Sequence, residues 1–321
     1  MASIRDVIVM GASAGGVEPL QHVAREMPQD LPAALFVVMH VPPRTKSFLP
    51  EILNRAGGLK AVHPRDGDPI RRGCIYVAPP DHHLVIEHEH VHLTCGPKEQ
   101  HHRPCINVTF RSAASAYGER VAGVLLSGEL DDGTAGLWEI QRRGGVTIVQ
   151  NPEEAAFPSM PLSALREIEV NHTVTVREIG PLLRRLAGDG ERPAIDAAEM
   201  EYQGLEIDPE LTDLTCPECR GTIWAVSRGD AKDYRCRVGH AYSPKSMLAS
   251  HFAAQEKALY AALVALEEGA SLTSQLADQF DPEVAERLRT ESRQREHQAE
   301  AIRNLLKDRV SFDIDEQVKK R

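Results

Sequence analysis

The chain has 321 residues, about twice the length of a typical domain of ~150 residues, so at least two folded units are expected. Hydrophobic residues make up 42% and charged residues 26% of the sequence, a balance that excludes a disordered or fibrous protein. The formal net charge of −10 argues against nucleic acid or anionic lipid as a partner. No apolar run approaches the ~20 residues that span a bilayer, so we expect a cytoplasmic protein without direct membrane insertion.

Short apolar runs alternate with longer amphipathic ones in residues 1–189, which is typical of a parallel sheet covered by helices. Between Asp66 and Cys95, the alternating segments Gly73–Val77 and Leu84–Leu93 flank a Pro-Pro-Asp turn, which predicts an antiparallel hairpin. We therefore predict a doubly wound, mostly parallel α/β sheet with an antiparallel edge hairpin. The predicted strands are Asp6–Met10, Ala34–Met39, Val121–Leu126 and Val146–Val149, and the predicted helices include Val17–Met27 and Leu137–Arg142.

A glycine-rich turn, Gly11–Gly16, follows the first predicted strand and opens the first predicted helix. Free amides and the positive end of the helix dipole at such a turn favour an anion or a nucleophile. A dinucleotide fingerprint would need a glycine in place of Ser13, and a P-loop would need a Gly-Lys-Ser/Thr sequence that is absent. The third interpretation is a serine nucleophile on a sharp strand-to-helix turn, with amides beside it as an oxyanion hole.

Two further predicted strands end at polar residues. His40 follows the second strand, and Asp131 and Asp132 lie in the turn after Val121–Leu126. Because functional sites in open parallel sheets lie outside the carboxyl ends of the strands, Ser13, His40 and a carboxylate could converge as nucleophile, base and orienting group. Structural roles also fit, since Ser13 could cap the helix, His40 could lie in the core and the aspartates could belong to a turn.

Six segments in this order resemble the catalytic domain of the chemotaxis protein-glutamate methylesterases, the CheB-type enzymes, over about residues 4–187. They are Gly11–Gly16, Val37–Pro42, Gly73–Pro79, His102–Pro104, Ser127–Leu137 and Phe157–Pro161. The resemblance implies the fold of that domain and a serine-hydrolase mechanism. It implies that Ser13 is the nucleophile, His40 the base and Asp132, which directly precedes a glycine, the third member. Backbone amides around Ala14 and Gly15 would then hold the oxyanion.

The resemblance also implies a reaction, the hydrolysis of γ-glutamyl methyl esters on the cytoplasmic helices of methyl-accepting chemoreceptors, often with deamidation of certain glutamines. No metal or organic cofactor is expected for this catalysis. Glu129-Leu130 stands where the family usually has Met-Gly, which changes the wall of the substrate site, and the family motif places His102 near that site. Well-known members carry an N-terminal receiver domain, whereas the first strand here starts within the first ten residues, so we expect no receiver before the catalytic domain.

Four residues in the second half of the chain have the spacing of a tetrahedral zinc site, C-x2-C-x16-C-x3-H. These residues are Cys216, Cys219, Cys236 and His240. The segments between them suit the strands of a zinc ribbon over 214–243, whose small core would depend on the metal. Because all four positions are filled, we expect a structural zinc ion. The alternative is a set of buried or redox-active thiols.

The remaining segments differ in composition from both of these units. They are an acidic linker at 190–213, a helical hairpin or coiled coil at 244–310 and a charged tail at 311–321. Apolar residues from Leu248 to Leu266 step by threes and fours, so we predict a homodimer or a signalling-protein partner on this helix. A second functional hypothesis is a catalytically altered regulatory or scaffold protein that acts through the zinc ribbon and the helices.

Overall fold

A computed structural model of the protein describes residues 4–188, 210–228 and 231–307. The chain divides into two compact units, Met1–Ser246 and Met247–Arg321. No helix within the described ranges is long and apolar enough to cross a bilayer.

The first unit contains two main sheets and a small hairpin. Its described strands are β1 (Val7–Ala12), β2 (Ala34–Met39), β3 (Lys60–Val62), β4 (Cys74–Val77), β5 (His83–Ile86), β6 (Val91–Thr94), β7 (Val121–Leu125), β8 (Val146–Gln150), β9 (His172–Val174), β10 (Glu210–Thr215), β11 (Thr222–Arg228), β12 (Ala231–Cys236) and β13 (Ala241–Tyr242). The helices that pack with them are α1 (Val17–Glu26), α2 (Leu49–Ala56), α3 (Ile106–Tyr117), α4 (Thr134–Arg142), α5 (Ser159–Glu167) and α6 (Val176–Ala187).

The larger sheet is parallel, with the strand order β3-β4-β2-β1-β7-β8-β9. All six residues of β1 are buried, and they alternate between two apolar clusters. Val9 packs in a cluster that includes residues of α3, α4 and α5, whereas Ile8 packs in a cluster that includes residues of α1, α2 and α6. Helices thus cover both faces, which explains why the strands are almost continuously apolar and confirms the predicted doubly wound α/β fold.

The strand order reverses at β1. This strand pairs in parallel with β2 on one side and with β7 on the other, because the chain builds one half of the sheet and then returns to start the second half. Ligands of open α/β sheets bind in the crevice outside the carboxyl ends of the strands at such a reversal. The crevice beyond β1 and β7 is therefore the place where a functional site is expected.

The antiparallel hairpin differs in position from the prediction. β5 and β6 pair with each other in a separate two-stranded sheet and do not extend the edge of the parallel sheet. The segment that we paired with them, β4, lies inside the parallel sheet between β3 and β2. A run of only four apolar residues, Cys74–Val77, can form either a buried parallel strand or one strand of a hairpin, so the sequence could not separate the two arrangements.

The second sheet is the predicted ribbon, with the antiparallel order β10-β11-β12-β13. Its first strand begins at Glu210, four residues before the boundary that we predicted. Residues 189–209, which hold most of the predicted acidic linker, lie outside the described residues. Few side chains of this sheet are buried. Those below a tenth exposed are Cys216, Ile223, Ala225, Cys236, Ala241 and Tyr242.

Two helices, α7 (Pro244–Ala277) and α8 (Pro282–Lys307), form the predicted helical hairpin. Their antiparallel pairing is seen where the Ser292 hydroxyl donates to the carbonyl of Ala270 at 2.8 Å. Apart from Met247, the buried side chains of the two helices are small, among them Ala270 and Ala299, while Phe252 on the predicted apolar face is 39% exposed. The predicted charged tail at 311–321 lies outside the described residues.

Candidate active site

Three polar side chains meet beyond the carboxyl ends of the strands at the reversal point. Ser13 follows β1, His40 follows β2 and Asp132 lies in the loop after β7. The imidazole Nδ1 of His40 lies 3.0 Å from Ser13 Oγ, and its Nε2 lies 2.8 Å from Asp132 Oδ2. The three side chains form a continuous hydrogen-bonded chain in which the serine faces Nδ1 and the carboxylate faces Nε2.

The Asp132 carboxylate is buried, with 1% of the residue exposed. Burial alone would raise its pKa, but the hydrogen bond with His40 and the electrostatic attraction to that ring hold the pKa of Asp132 well below its usual range. The carboxylate is therefore ionised and accepts the Nε2 proton of His40. Nδ1 is left as the proton acceptor that faces Ser13, which is the tautomer a general base needs.

The first turn of α3 also holds Asp132, a role that the sequence analysis did not assign. The amide of Ile106 donates to Oδ2 at 2.7 Å and the amide of Asn107 donates to Oδ1 at 3.0 Å. A carboxylate at a helix N-terminus satisfies amides that have no partner within the helix. The helical spacing of Ile106 and Phe110 shortly after Pro104 is the sequence signal that could have placed this helix start here.

The turn that carries Ser13 presents free amides beside the hydroxyl. The Gly16 amide closes the turn on the carbonyl of Ser13 at 3.0 Å, and Gly15 has φ = +72°, a conformation that favours glycine. Within the described chain, the amides of Ala14 and Gly15 make no hydrogen bond. Two donors at the N-terminus of α1 can therefore stabilise a negative oxygen next to Ser13.

Gly128 lets the loop after β7 approach the serine. A Cβ atom on Gly128 would lie 2.9 Å from Ser13 Cβ and 2.2 Å from the sulfur of Met160. Its amide donates to the carbonyl of Phe157 at 2.9 Å, which ties this loop to the segment before α5. The two segments 127–128 and 157–160 thus form one wall of the site.

His102 forms a second wall. Its ring stacks on the ring of His40, with centroids 3.5 Å apart and the planes inclined by 7°. Burial, reinforced by the nearby His40, lowers the pKa of His102 to about 3, so the ring is neutral. A neutral stacked ring limits how His40 can rotate, which favours the orientation that reaches both Ser13 and Asp132.

The two residues at the unusual Glu129-Leu130 position differ in their surroundings. Glu129 is exposed and its carboxylate makes no ion pair with any residue that the structure describes. Leu130 has φ = +63°, and its carbonyl accepts hydrogen bonds from Ser159 Oγ at 3.2 Å and Ser163 Oγ at 3.1 Å. The site gains an exposed carboxylate at its rim and a constrained backbone just before Asp131.

The adjacent aspartate, Asp131, does not join the hydrogen-bonded chain. Its side chain is buried, one of its oxygens has no hydrogen-bond partner among the described residues, and the carboxyl forms a hydrogen bond with the Ser243 side chain. Burial raises the pKa of Asp131 to about 7. The two neighbouring aspartates therefore lie in opposite environments. Only the surroundings of Asp132 stabilise a carboxylate anion.

The family model for the CheB methylesterases matches residues 8–183, more than half of the chain. The chain belongs to the CheB methylesterase family. A protein-glutamate methylesterase/protein-glutamine glutaminase of Methanosarcina acetivorans is 36% identical over 173 residues, which cover 51% of this chain and 49% of the relative. A putative enzyme of the same description from Leptospira interrogans is 31% identical, covering 56% of this chain and 94% of the relative.

A solved structure shows the same relationship in three dimensions. The crystal structure of the Thermotoga maritima CheB methylesterase catalytic domain aligns with a TM-score of 0.55 and 29% identity, covering 57% of this chain and 99% of that domain. The chain spans about half the length of the first curated relatives that it matches. The match to the CheB family ends before the ribbon, which is therefore an addition to the family's catalytic domain.

The ribbon brings together the four residues that we predicted as metal ligands. The three Sγ atoms and a ring nitrogen of His240 all lie within 4.8 Å of one another, and the cysteines form no disulfide. Cys219 Sγ lies 3.6 Å from Cys236 Sγ, and His240 Nδ1 lies 3.4 Å from Cys236 Sγ and 3.7 Å from Cys216 Sγ. A tetrahedral zinc ion with Zn–S bonds of about 2.3 Å needs sulfurs separated by about 3.8 Å, so this arrangement fits the metal.

Proposed function

We propose that this member of the CheB family is a protein-glutamate methylesterase that uses Ser13, His40 and Asp132 as its catalytic triad. The observation that carries the proposal is the hydrogen-bonded chain from Ser13 Oγ through the His40 ring to the buried Asp132 carboxylate. Its position at the reversal point of the sheet leaves the serine accessible from the crevice. The relatives named above support the same class of reaction.

Acyl transfer begins when His40 Nδ1 takes the proton of Ser13 and Oγ attacks the ester carbonyl. The amides of Ala14 and Gly15 stabilise the oxyanion of the tetrahedral intermediate. His40 then donates the proton to the departing methoxide, and methanol leaves a glutamyl ester on Ser13. A water molecule that loses a proton to His40 attacks this ester, and collapse of the second intermediate returns the serine and releases a glutamate side chain.

The substrate that we propose is a γ-glutamyl methyl ester on the cytoplasmic helices of a methyl-accepting chemoreceptor, so the protein would act in the cytoplasm. The names of the relatives join methylesterase and glutaminase, and the same site can release ammonia from a glutamine amide if His40 protonates that leaving group. Both reactions pass through the same acyl intermediate. Neither requires a cofactor in the steps given above.

We also propose that Cys216, Cys219, Cys236 and His240 bind a structural zinc ion. The ligand set and its spacing support this assignment, since all four coordination positions are filled by protein atoms. The buried hydroxyl of Tyr242 lies 3.4 Å from Cys216 Sγ and is placed to support a thiolate. Metal analysis of the purified chain should find one zinc ion per chain, and none after Cys236→Ser.

Release of methanol from a methyl-labelled chemoreceptor tests the proposed reaction. The parent protein should release volatile label, and Ser13→Ala should release none above background. Ser271→Ala, at an exposed serine of α7, is the matched control and should behave like the parent protein. A parent protein that is folded but releases no label from the receptor would exclude the proposed substrate.

The helical hairpin supports a protein partner. Tyr260 and Val264 of α7 are 52% and 49% exposed, and they lie one helical turn apart. We propose that this face mediates self-association. Analytical ultracentrifugation should give the mass of a dimer, and Tyr260→Glu should give the mass of a monomer; a monomeric parent protein would contradict the idea.

A further inference from the structure

The ribbon and the start of α7 contact two segments that lie next to the proposed catalytic residues. Residues Met1–Ser246 form one unit, so the ribbon belongs to the same compact body as the parallel sheet. One contact is made with the loop 97–103, which contains His102, and the other with the loop that contains Leu130 and Asp131. The first contact begins at β13 and the second at Lys245 in the first turn of α7, both within a few residues of His240.

The first contact extends from the ribbon to the loop that carries His102. Residue 99 pairs in parallel with Ala241 of β13, and the amide of Gln100 donates to the carbonyl of Ala241 at 2.8 Å. The amide of Ser243 donates in return to the Gln100 side chain at 3.3 Å. Ala241 directly follows the proposed metal ligand His240. A single residue therefore links the Cys/His cluster to the loop 97–103.

The loop needs an external partner because its backbone is strained. Gln100 and His101 have φ = +52° and φ = +69°, conformations that residues with a side chain rarely adopt. Such conformations cost on the order of 1–3 kcal/mol each and persist when the surroundings hold them. Gln100 is only 6% exposed, and its described hydrogen-bond partners lie in the ribbon and the turn after it. The residue after His101 is His102, which stacks on the catalytic base.

An aromatic contact runs alongside these hydrogen bonds. The Tyr242 hydroxyl lies 3.4 Å from Cys216 Sγ, and its ring meets the ring of His101 edge to face with centroids 5.5 Å apart. The neighbouring His102 ring then stacks on His40. Side-chain contacts on either side of the peptide link between His101 and His102 therefore connect the proposed metal ligand Cys216 to His40.

The second contact reaches the aspartate loop. Lys245 Nζ donates to Ser159 Oγ at 2.8 Å and to Ser163 Oγ at 3.4 Å. Both hydroxyls donate in turn to the carbonyl of Leu130, the residue with φ = +63° two positions before Asp132. Lys245 thus orients two hydroxyls that hold the strained backbone in front of the triad carboxylate.

We propose that the ribbon is a positioning element of the esterase site, and that metal binding to its Cys/His cluster holds the His102 loop and the Leu130 loop in their active arrangement. The proposal rests on the proposed serine-hydrolase function. With few buried apolar side chains, the ribbon depends on its ligands for a fixed shape. Loss of the metal releases β13 and the start of α7 at Ser243–Lys245, and with them the support of His40 and Asp132.

Labelling of Ser13 with an alkyl fluorophosphonate tests this coupling without a receptor. The reagent forms a phosphonate ester at Ser13 Oγ and releases fluoride, so its rate reports the serine–histidine pair. In the full, metal-loaded chain, Lys245→Met should slow labelling about tenfold, because small displacements of catalytic groups have effects of this size. Lys245→Arg should restore most of the rate. Lys232→Met, which removes an exposed ammonium on β12, is the matched control and should label like the parent.

Combining loss of the metal with Lys245→Met distinguishes one shared positioning effect from general destabilisation of the protein. Chelation of the metal, or Cys219→Ser, should slow labelling at least as much as Lys245→Met. Lys245→Met should have little further effect in the metal-free protein, since both changes release the same support. In the methanol assay, kcat should fall with KM almost unchanged. Additive effects of the two changes, or parent-like labelling of metal-loaded Lys245→Met with an unchanged melting temperature, would overturn the proposal.

The outcomes also separate this proposal from the proposed function. If Lys245→Met slows labelling while the parent releases no methanol, the substrate is wrong and the positioning role stands. If the parent releases methanol and Lys245→Met matches it in both assays, the positioning role is wrong. If folded parent protein fails to label at Ser13, both proposals are wrong.

Discussion

The parallel sheet and the ribbon reach a fixed structure by different means, although they belong to one unit. β1 is buried along its whole length between two helical layers, and the sheet draws its stability from apolar burial on both faces. The ribbon buries only a few side chains, two of which are cysteines at the proposed metal site. We therefore expect the sheet to tolerate the loss of single contacts, whereas the ribbon would depend on the proposed metal site.

The largest expected effect lies at the carboxylate of the proposed triad, next to the parallel sheet. Asp132→Asn keeps the shape of the side chain but removes the charge that sets the tautomer of His40, so kcat for methanol release should fall by about 10⁴-fold. The control is Asp278→Asn at the exposed turn of the helical hairpin, which should leave kcat unchanged. A fall of less than about tenfold for Asp132→Asn would contradict the triad assignment.

The next effect concerns the ribbon alone. Cys236→Ser should abolish zinc binding and remove the amide protection of β11 and β12 in hydrogen exchange, because a structural zinc ion contributes on the order of 10 kcal/mol to small metal-dependent folds. Amides of β1 and β2 should keep their protection. Loss of protection in both sheets would show that the parallel sheet also depends on the metal.

A substitution in the parallel sheet should have the converse effect, lowering the stability of the sheet without changing zinc binding. Phe36 is fully buried and stacks on Tyr76 with ring centroids 5.3 Å apart, so Phe36→Ala should lower the free energy of unfolding by about 3–5 kcal/mol. The zinc content should remain one ion per chain, because the ribbon does not draw on this cluster. Urea denaturation with metal analysis of the native fraction measures both quantities. Zinc loss at urea concentrations below the unfolding transition would argue against this separation.

The smallest effect is a pH dependence at Asp131. Its pKa is raised to about 7 in the folded protein from an unfolded value near 3.9, so it binds its proton more tightly when folded. Its contribution to stability is complete below about pH 4 and is lost as the pH rises through about 7. Asp131→Asn should therefore increase the free energy of unfolding at pH 8 by at least about 1 kcal/mol and by less at pH 5. Equal differences at the two pH values, in urea denaturation, would count against this environment.

Features that repeat along the chain, or that follow from the ends of strands, could be predicted from the sequence. The apolar runs predicted β1 and β7, and the rule for parallel sheets placed Ser13 and His40 at one edge. The position of β4 could not be predicted, because a run of four apolar residues suits a parallel strand or a hairpin equally well. The hydrogen bond from the Ile106 amide, in the first turn of α3, to the Asp132 carboxylate was not predicted either. It depends on where that helix begins relative to the loop after β7.

The contacts between the ribbon and the loop 97–103 could not be predicted from the sequence, for a related reason. Gln100 and Ser243 are 143 positions apart and meet through single hydrogen bonds, which leave no periodic pattern in the sequence. The C-x2-C-x16-C-x3-H spacing indicates which residues can share a metal, but it contains no information on the surface that the metal-bound fold will touch. The small residues that pack between α7 and α8 form no sequence pattern as clear as that of the exposed apolar face.

The stacked pair of His40 and His102 has a consequence for the proton count of the enzyme. His102 keeps a pKa of about 3, so it stays neutral throughout the range in which histidines ordinarily titrate. In the proposed acyl transfer, the positive charge on His40 would face the π system of an uncharged ring whose centroid lies 3.5 Å away, rather than a second cation. His102 therefore adds no protonation step of its own in that range, and it should contribute no second proton to the acid limb of log kcat/KM against pH.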